Sequence, residues 1–153
     1  MTRKHTRRKI YALVDPITMA IEGAAITDTA LLDKLRLAEL SAIHAFSTGD
    51  ATQNDWRAIA DLCNIAQTMC DMGIGPEVLP ATLEVEGVLS ESHQRFKATG
   101  RIATTGAGLN AMRELAEWHD VQRTSVDRST YERAIKRTAD RIRSAHPRLK
   151  VLV

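Results

Sequence analysis

Aromatic side chains make up only 4% of this 153-residue chain. That deprives a β-sheet of the residues it favours and leaves a core to be drawn from Leu, Ile, Val, Ala and Met, which suits helix–helix packing. No apolar run approaches the ~18 residues of a membrane span, so no membrane partner is expected. The start, Met1 to Lys9, is basic, but Asp15-Pro16 and Glu22 interrupt the apolar stretch after it and leave no signal-peptide core. The expected location is the cytoplasm. Cysteine is nearly absent. Cys63 and Cys70 fall seven residues apart on an expected helix, ~10 Å from each other at the helical rise. A disulfide needs Cα atoms within ~7 Å, so both read as small core residues in a reducing compartment.

Several kinds of chemistry lack their residues as well. There is no Cys-x-x-Cys, no His-x-x-x-His, and no Glu three residues before any of the five histidines, so zinc sites and di-iron bundles have no signature. No Gly-x-Ser-x-Gly, Walker loop or dinucleotide fingerprint occurs. No cofactor is expected, and enzyme activity has no support.

Charge is the most informative feature present. The net charge is +2, yet residues 1–9 carry five Lys/Arg and no acid, and residues 123–153 carry nine against three. Residues 10–122 carry seven against sixteen. Basic ends on an acidic body commonly meet polyanions.

The pattern predicts an all-α, single-domain bundle of five or six helices. Residues 1–10 read as a flexible basic arm, 11–146 as the bundle and 147–153 as a tail. Asp15-Pro16 starts a short helix through Ile17, Ala20, Ile21 and Ala24. Thr27-Asp28 opens a longer one with Leu31, Leu32, Leu35, Ala38, Ala42 and Phe46 on one stripe. Thr52 and Asp55 form a capping start for a third, with Trp56, Ile59, Ala60, Cys63, Ala66 and Cys70 inward, which should be the most buried helix. Gly73-Ile74-Gly75-Pro76 stops it. A fourth runs from about Glu77 to Ala98, with Pro80 a candidate for its true start. Residues 100–108 read as a loop before a fifth helix from Leu109, and Ser129 to Glu132 reads as the capping box of a sixth, ending near Ser144. Trp56 and Trp118 both fall on apolar stripes and read as core anchors.

The candidate site is the basic equipment at the two ends. Arg133, Arg137 and Arg141 recur at four-residue steps, ~6 Å apart, close to the ~7 Å spacing of phosphates along a strand. Lys136 and Arg143 flank them, Arg123 and Arg128 precede them, and Glu132–Lys136 or Asp140–Lys136 pairs would relieve the repulsion. Tyr131, Ile135 and Ile142 would dock the helix. With Arg3, Lys4, Arg7, Arg8 and Lys9 as an arm, these residues suit phosphate contacts with nucleic acid. The alternatives are a solvated helix face, or basic ends that meet an acidic protein surface, with a protein partner or self-association as the function. Three further patterns are weaker. Ile59 to Ile65 imitates a helix-turn-helix with Asn64 at the turn, but a continuous helix explains it better. His119-Asp120 resembles the pair used by helical metal phosphohydrolases, and reads instead as a helix-terminal His beside a solvated Asp. Gly108 before Leu109 would expose amides to an anion, and reads instead as a flexible connection.

The short Arg/Lys-rich start, the apolar helix, and the runs Ala51 to Trp56 and Met69 to Gly73 together resemble a group of small proteins from bacterial prophages and plasmids, some labelled transcriptional regulators. The resemblance implies a mobile-element origin and a regulatory, replication-accessory or defence-inhibiting role, and it assigns no functional residue.

Overall fold

The computed structural model describes residues 29–145. Five α-helices occur among them: α1 (Thr29–Thr48), α2 (Gln53–Asp71), α3 (Leu79–Thr99), α4 (Gly106–Thr124) and α5 (Arg128–Ser144), with a 3-10 turn at Pro76–Val78 before α3. There is no strand among the described residues. The expected helix at Asp15-Pro16, the arm and the tail lie outside them.

The first four helices are joined by short loops and form an antiparallel bundle. α1 packs on α2, α2 on α3, α3 on α4, and α4 returns to α1. α2 also crosses the middle to touch α4, and α5 lies outside this ring against α2. The central position of α2 stems from its sequence. Its capping box is complete: the Thr52 hydroxyl accepts from Asp55 N–H, and Asp55 Oδ2 accepts from Thr52 N–H at 2.7 Å. From there Trp56, Ile59, Leu62, Cys63, Ala66, Met69 and Cys70 all point inward. The helix is continuous through Asn64, so the helix-turn-helix alternative does not occur. Both thiols are free and buried. Cys63 donates to Thr82 O at 3.2 Å, and burial pushes its thiol up to about 12.

Most of the core is one aliphatic cluster spanning α1 to α4, with Ile59, Met112, Leu115 and Val85 at its centre. A smaller cluster under α5 holds Met69, Tyr131 and Ala134. At the end of α2 the chain turns through Gly73 and Gly75, both with positive φ. Gly75 could not be replaced cheaply, because a Cβ there would meet Gln122 Cγ at 2.9 Å.

Four expectations need correcting. Trp118 is 41% exposed rather than a core anchor; the buried side of α4 runs through Met112, Leu115, His119 and Gln122, and Trp118 falls beside it. α4 begins at Gly106, not Leu109, with Thr105 as N-cap. Gly108 is therefore buried inside the first turn, its N–H bonded to Thr105 Oγ1 at 3.1 Å, and it offers no free amide to an anion. α5 begins at Arg128, capped by Asp127, whose carboxylate accepts from Thr130 N–H at 2.7 Å. Ser129 instead donates to Asp127, and Glu132 turns outward to Arg128.

Candidate functional site

α5 presents its basic residues in two different ways. Tyr131, Ala134 and Thr138 form its buried side, and the Thr138 hydroxyl meets Thr68 Oγ1 at 2.8 Å. Ile142 is half-buried, whereas Ile135 is 41% exposed and docks little of the helix. Opposite these anchors, Arg133, Lys136 and Arg137 are exposed and make no salt bridge among the described residues. Arg143 is exposed but paired with Asp140, and Arg128 pairs with Glu132 at 2.8 Å. The acids are thus taken by arginines one turn away, and neither expected pair with Lys136 forms.

Arg141 departs from the stripe to which its spacing assigns it. It folds back onto α2, where Nη2 donates to Asn64 O at 3.2 Å and to Gln67 Oε1 at 3.3 Å, and Nη1 lies 3.5 Å from Asp71 Oδ2. Its role in this geometry is to tie α5 to the body. Arg3, Lys4, Arg7, Arg8 and Lys9 lie outside the described residues.

A second charged assembly has no counterpart in the sequence motifs. Arg123, expected among the basic surface residues, has no exposed surface at all. Its guanidinium donates to Glu39 Oε1 at 2.8 Å and Oε2 at 3.2 Å, and to Asp120 Oδ1 at 3.0 Å. Asp120 in turn accepts from Arg36 Nε at 2.9 Å and Nη2 at 2.8 Å, and Arg36 reaches Asp33 at 3.2 Å. The result is an alternating chain of charge that locks α1 to α4. Burial works against the Arg123 charge, but the hydrogen bonds and charge of Glu39, joined by the bond to Asp120, together outweigh it and hold the guanidinium above its ordinary pKa. Burial likewise pushes the Asp120 carboxyl up, and the hydrogen bonds from Arg36 and Arg123 overcome this and hold it below the usual range. Asp120 is therefore not a solvated carboxylate.

His119 lies beside this chain, fully buried. Nδ1 is 3.1 Å from Gln122 Oε1 and Nε2 is 3.3 Å from the Tyr131 hydroxyl. Burial first, then the neighbouring Arg123 charge, lowers its pKa to about 4, with Gln122 and Asp120 opposing. With both ring nitrogens engaged, His119 is a structural link between α4 and α5 and is not open to a metal. No group of three or more metal-ligating side chains comes together among the described residues. Gln122 completes the polar core, donating to Ile74 O at 3.0 Å and Gly75 O at 3.3 Å and so fixing the turn after α2.

On the outer side of the same charge chain, α1 and α4 leave a groove of about 450 Å³. Its apolar part is Leu40, Ile43 and Ala116, and its polar part includes Arg36, Arg113 and Glu117. No described helix is long and apolar enough to cross a membrane. The chain matches no protein-family model, no curated protein and no solved structure.

Proposed function

We propose that this is a non-enzymatic nucleic-acid-binding protein that contacts phosphates through the outer face of α5 and the basic N-terminal residues. The observation that carries the reading is the exposed trio Arg133, Lys136 and Arg137, which no acid neutralises at salt-bridge distance among the described residues. Three like charges are concentrated there with no salt bridge to them among the described residues; Arg133 acts on Asp127 through its charge without an ion pair, and Asp140 is paired with Arg143, a layout that suits a surface gaining energy by displacing counterions from a polyanion. Arg143 extends this face, and Arg141 holds the helix in place instead of touching phosphate. The resemblance to small prophage and plasmid proteins suggests a regulatory setting on a mobile element.

The test is binding to labelled random duplex and single-stranded DNA over a salt series. The forms compared are the full chain, the chain lacking residues 1–9, and the Arg133→Ala, Lys136→Ala, Arg137→Ala triple variant. Binding with a steep salt slope that both changes reduce is the expected result. No binding at low salt, or a triple variant of unchanged affinity, overturns the reading.

A protein partner is the second reading, favoured by the exposure of Trp118 and Leu83, the latter 56% exposed on α3. A monomer by light scattering that captures no partner counts against it.

A further inference from the structure

The outer face shared by α1 and α4 keeps large apolar side chains in water. Leu40 lines the groove between the two helices and is 56% exposed. Leu37, one turn before it on α1, is 66% exposed. α5 packs instead on α2. Charge on this face is laid out in a way that one copy of the chain does not use. Arg113 and Glu117 stand one turn apart on α4, and both line the groove with Leu40. Neither forms a salt bridge among the described residues, and the Arg113 guanidinium donates to Asn110 Oδ1 at 3.5 Å. A cation placed before the acid is the less favourable order for pairing within a helix.

From these observations we propose that the α1–α4 face is the interface of a two-fold symmetric dimer, the occupant of the groove being a second copy of this chain. Charge complementarity selects that occupant. A two-fold axis lying in the interface and crossing the helices sets α1 against α1 and α4 against α4 of the second copy, end for end. A two-fold interface must be self-complementary, and a cation and an acid one turn apart meet that demand. With the axis between them, Arg113 of each copy faces Glu117 of the other, and two reciprocal ion pairs form. Leu40, in the same groove, then packs near its own counterpart, and Leu37 leaves water with it. A face two helices wide and ~28 Å long is of the same order as the ~800 Å² per partner that stable dimers bury.

The proposal uses no residue of α5 and is independent of the nucleic-acid reading. Sedimentation velocity of the full chain over a concentration series tests it. The native chain should show a monomer–dimer equilibrium and nothing larger. Leu40→Asp, at an exposed position, should keep the helical circular dichroism and leave the chain monomeric. Arg113→Glu and Glu117→Arg each set like charges against one another and should weaken the dimer at least about tenfold. Mixed in equal amounts, these two variants should form a heterodimer about as tight as the native dimer, because each supplies the charge that the other lacks. The triple variant of Arg133, Lys136 and Arg137 should dimerise as the native chain does, whatever its affinity for DNA. A native chain that stays monomeric at the highest concentration, a dimer that survives Leu40→Asp, or charge variants whose mixture associates no better than either alone, each overturns the proposal.

Discussion

Arg123 and Arg137 come from the same basic stretch of sequence and meet opposite fates. Arg123 is wholly enclosed between α1 and α4, paired with Glu39 and Asp120 and stacked 6.0 Å over the Tyr131 ring. Arg137 stands in solvent with no acid at salt-bridge distance among the described residues. One charge has been taken out of water and compensated, and the other kept in water and left free. The contrast separates two uses of arginine: the first holds helices in register, and the second is available to an outside partner. It also separates two expected sensitivities, since removing a buried charge strands its partners, while removing an exposed one leaves the fold as it was.

The largest test of that contrast is Arg123→Ala. It leaves Glu39, 13% exposed, and part of Asp120 without their cation, and should cost about 3–5 kcal/mol in a denaturant titration. Pairing Arg123→Met with Glu39→Leu should recover much of the loss; equal losses in the single and double variants would mean packing, not charge, dominates. Next comes acid. The unfolded chain takes up a proton on His119 near pH 6.5, whereas the folded chain resists until about pH 4. Stability should therefore be full above pH 6.5 and fall as pH drops towards 4, by about 3 kcal/mol. His119→Gln should be less stable at pH 7 but flatter across that window, as monitored by denaturant midpoint against pH. A smaller effect is expected at the α5 anchor, where Thr138→Val removes the bond to Thr68 and should cost about 1 kcal/mol. The smallest change in stability, within about 0.5 kcal/mol, belongs to the triple variant of Arg133, Lys136 and Arg137. Its effect should fall on binding instead, lowering the salt slope for duplex DNA by roughly 3.

Much of the bundle was legible in the sequence, because its determinants are local. The Thr52–Asp55 cap and the stripe from Trp56 to Cys70 lie within one helix, and they are enough to specify α2. The charge chain was not legible in the same way. Arg123 reaches Glu39 across 84 residues, and no local rule pairs them. A signal was nevertheless present. The inward period set by Met112, Leu115 and Ala116 continues to His119, Gln122 and Arg123, so these polar residues sit where apolar ones are expected. Reading that continuation as buried polar chemistry would have moved Arg123 inside. The exposed part of the basic face was legible for Arg133, Lys136 and Arg137, whose outward positions agree with helical spacing. Arg141 was not, since its tether depends on where the end of α2 lies.

The attachment of α5 bears on how the molecule breathes. The helix rests on a satellite cluster and a few polar contacts, while the main cluster spans the other four helices without it. Lifting α5 therefore exposes Met69 and the His119–Tyr131 contact but leaves Ile59, Met112 and Leu115 enclosed. Such a partial opening costs less free energy than global unfolding. The helix that carries the exposed arginines is thus the part of the described structure best placed to shift its angle against a partner while the rest stays folded.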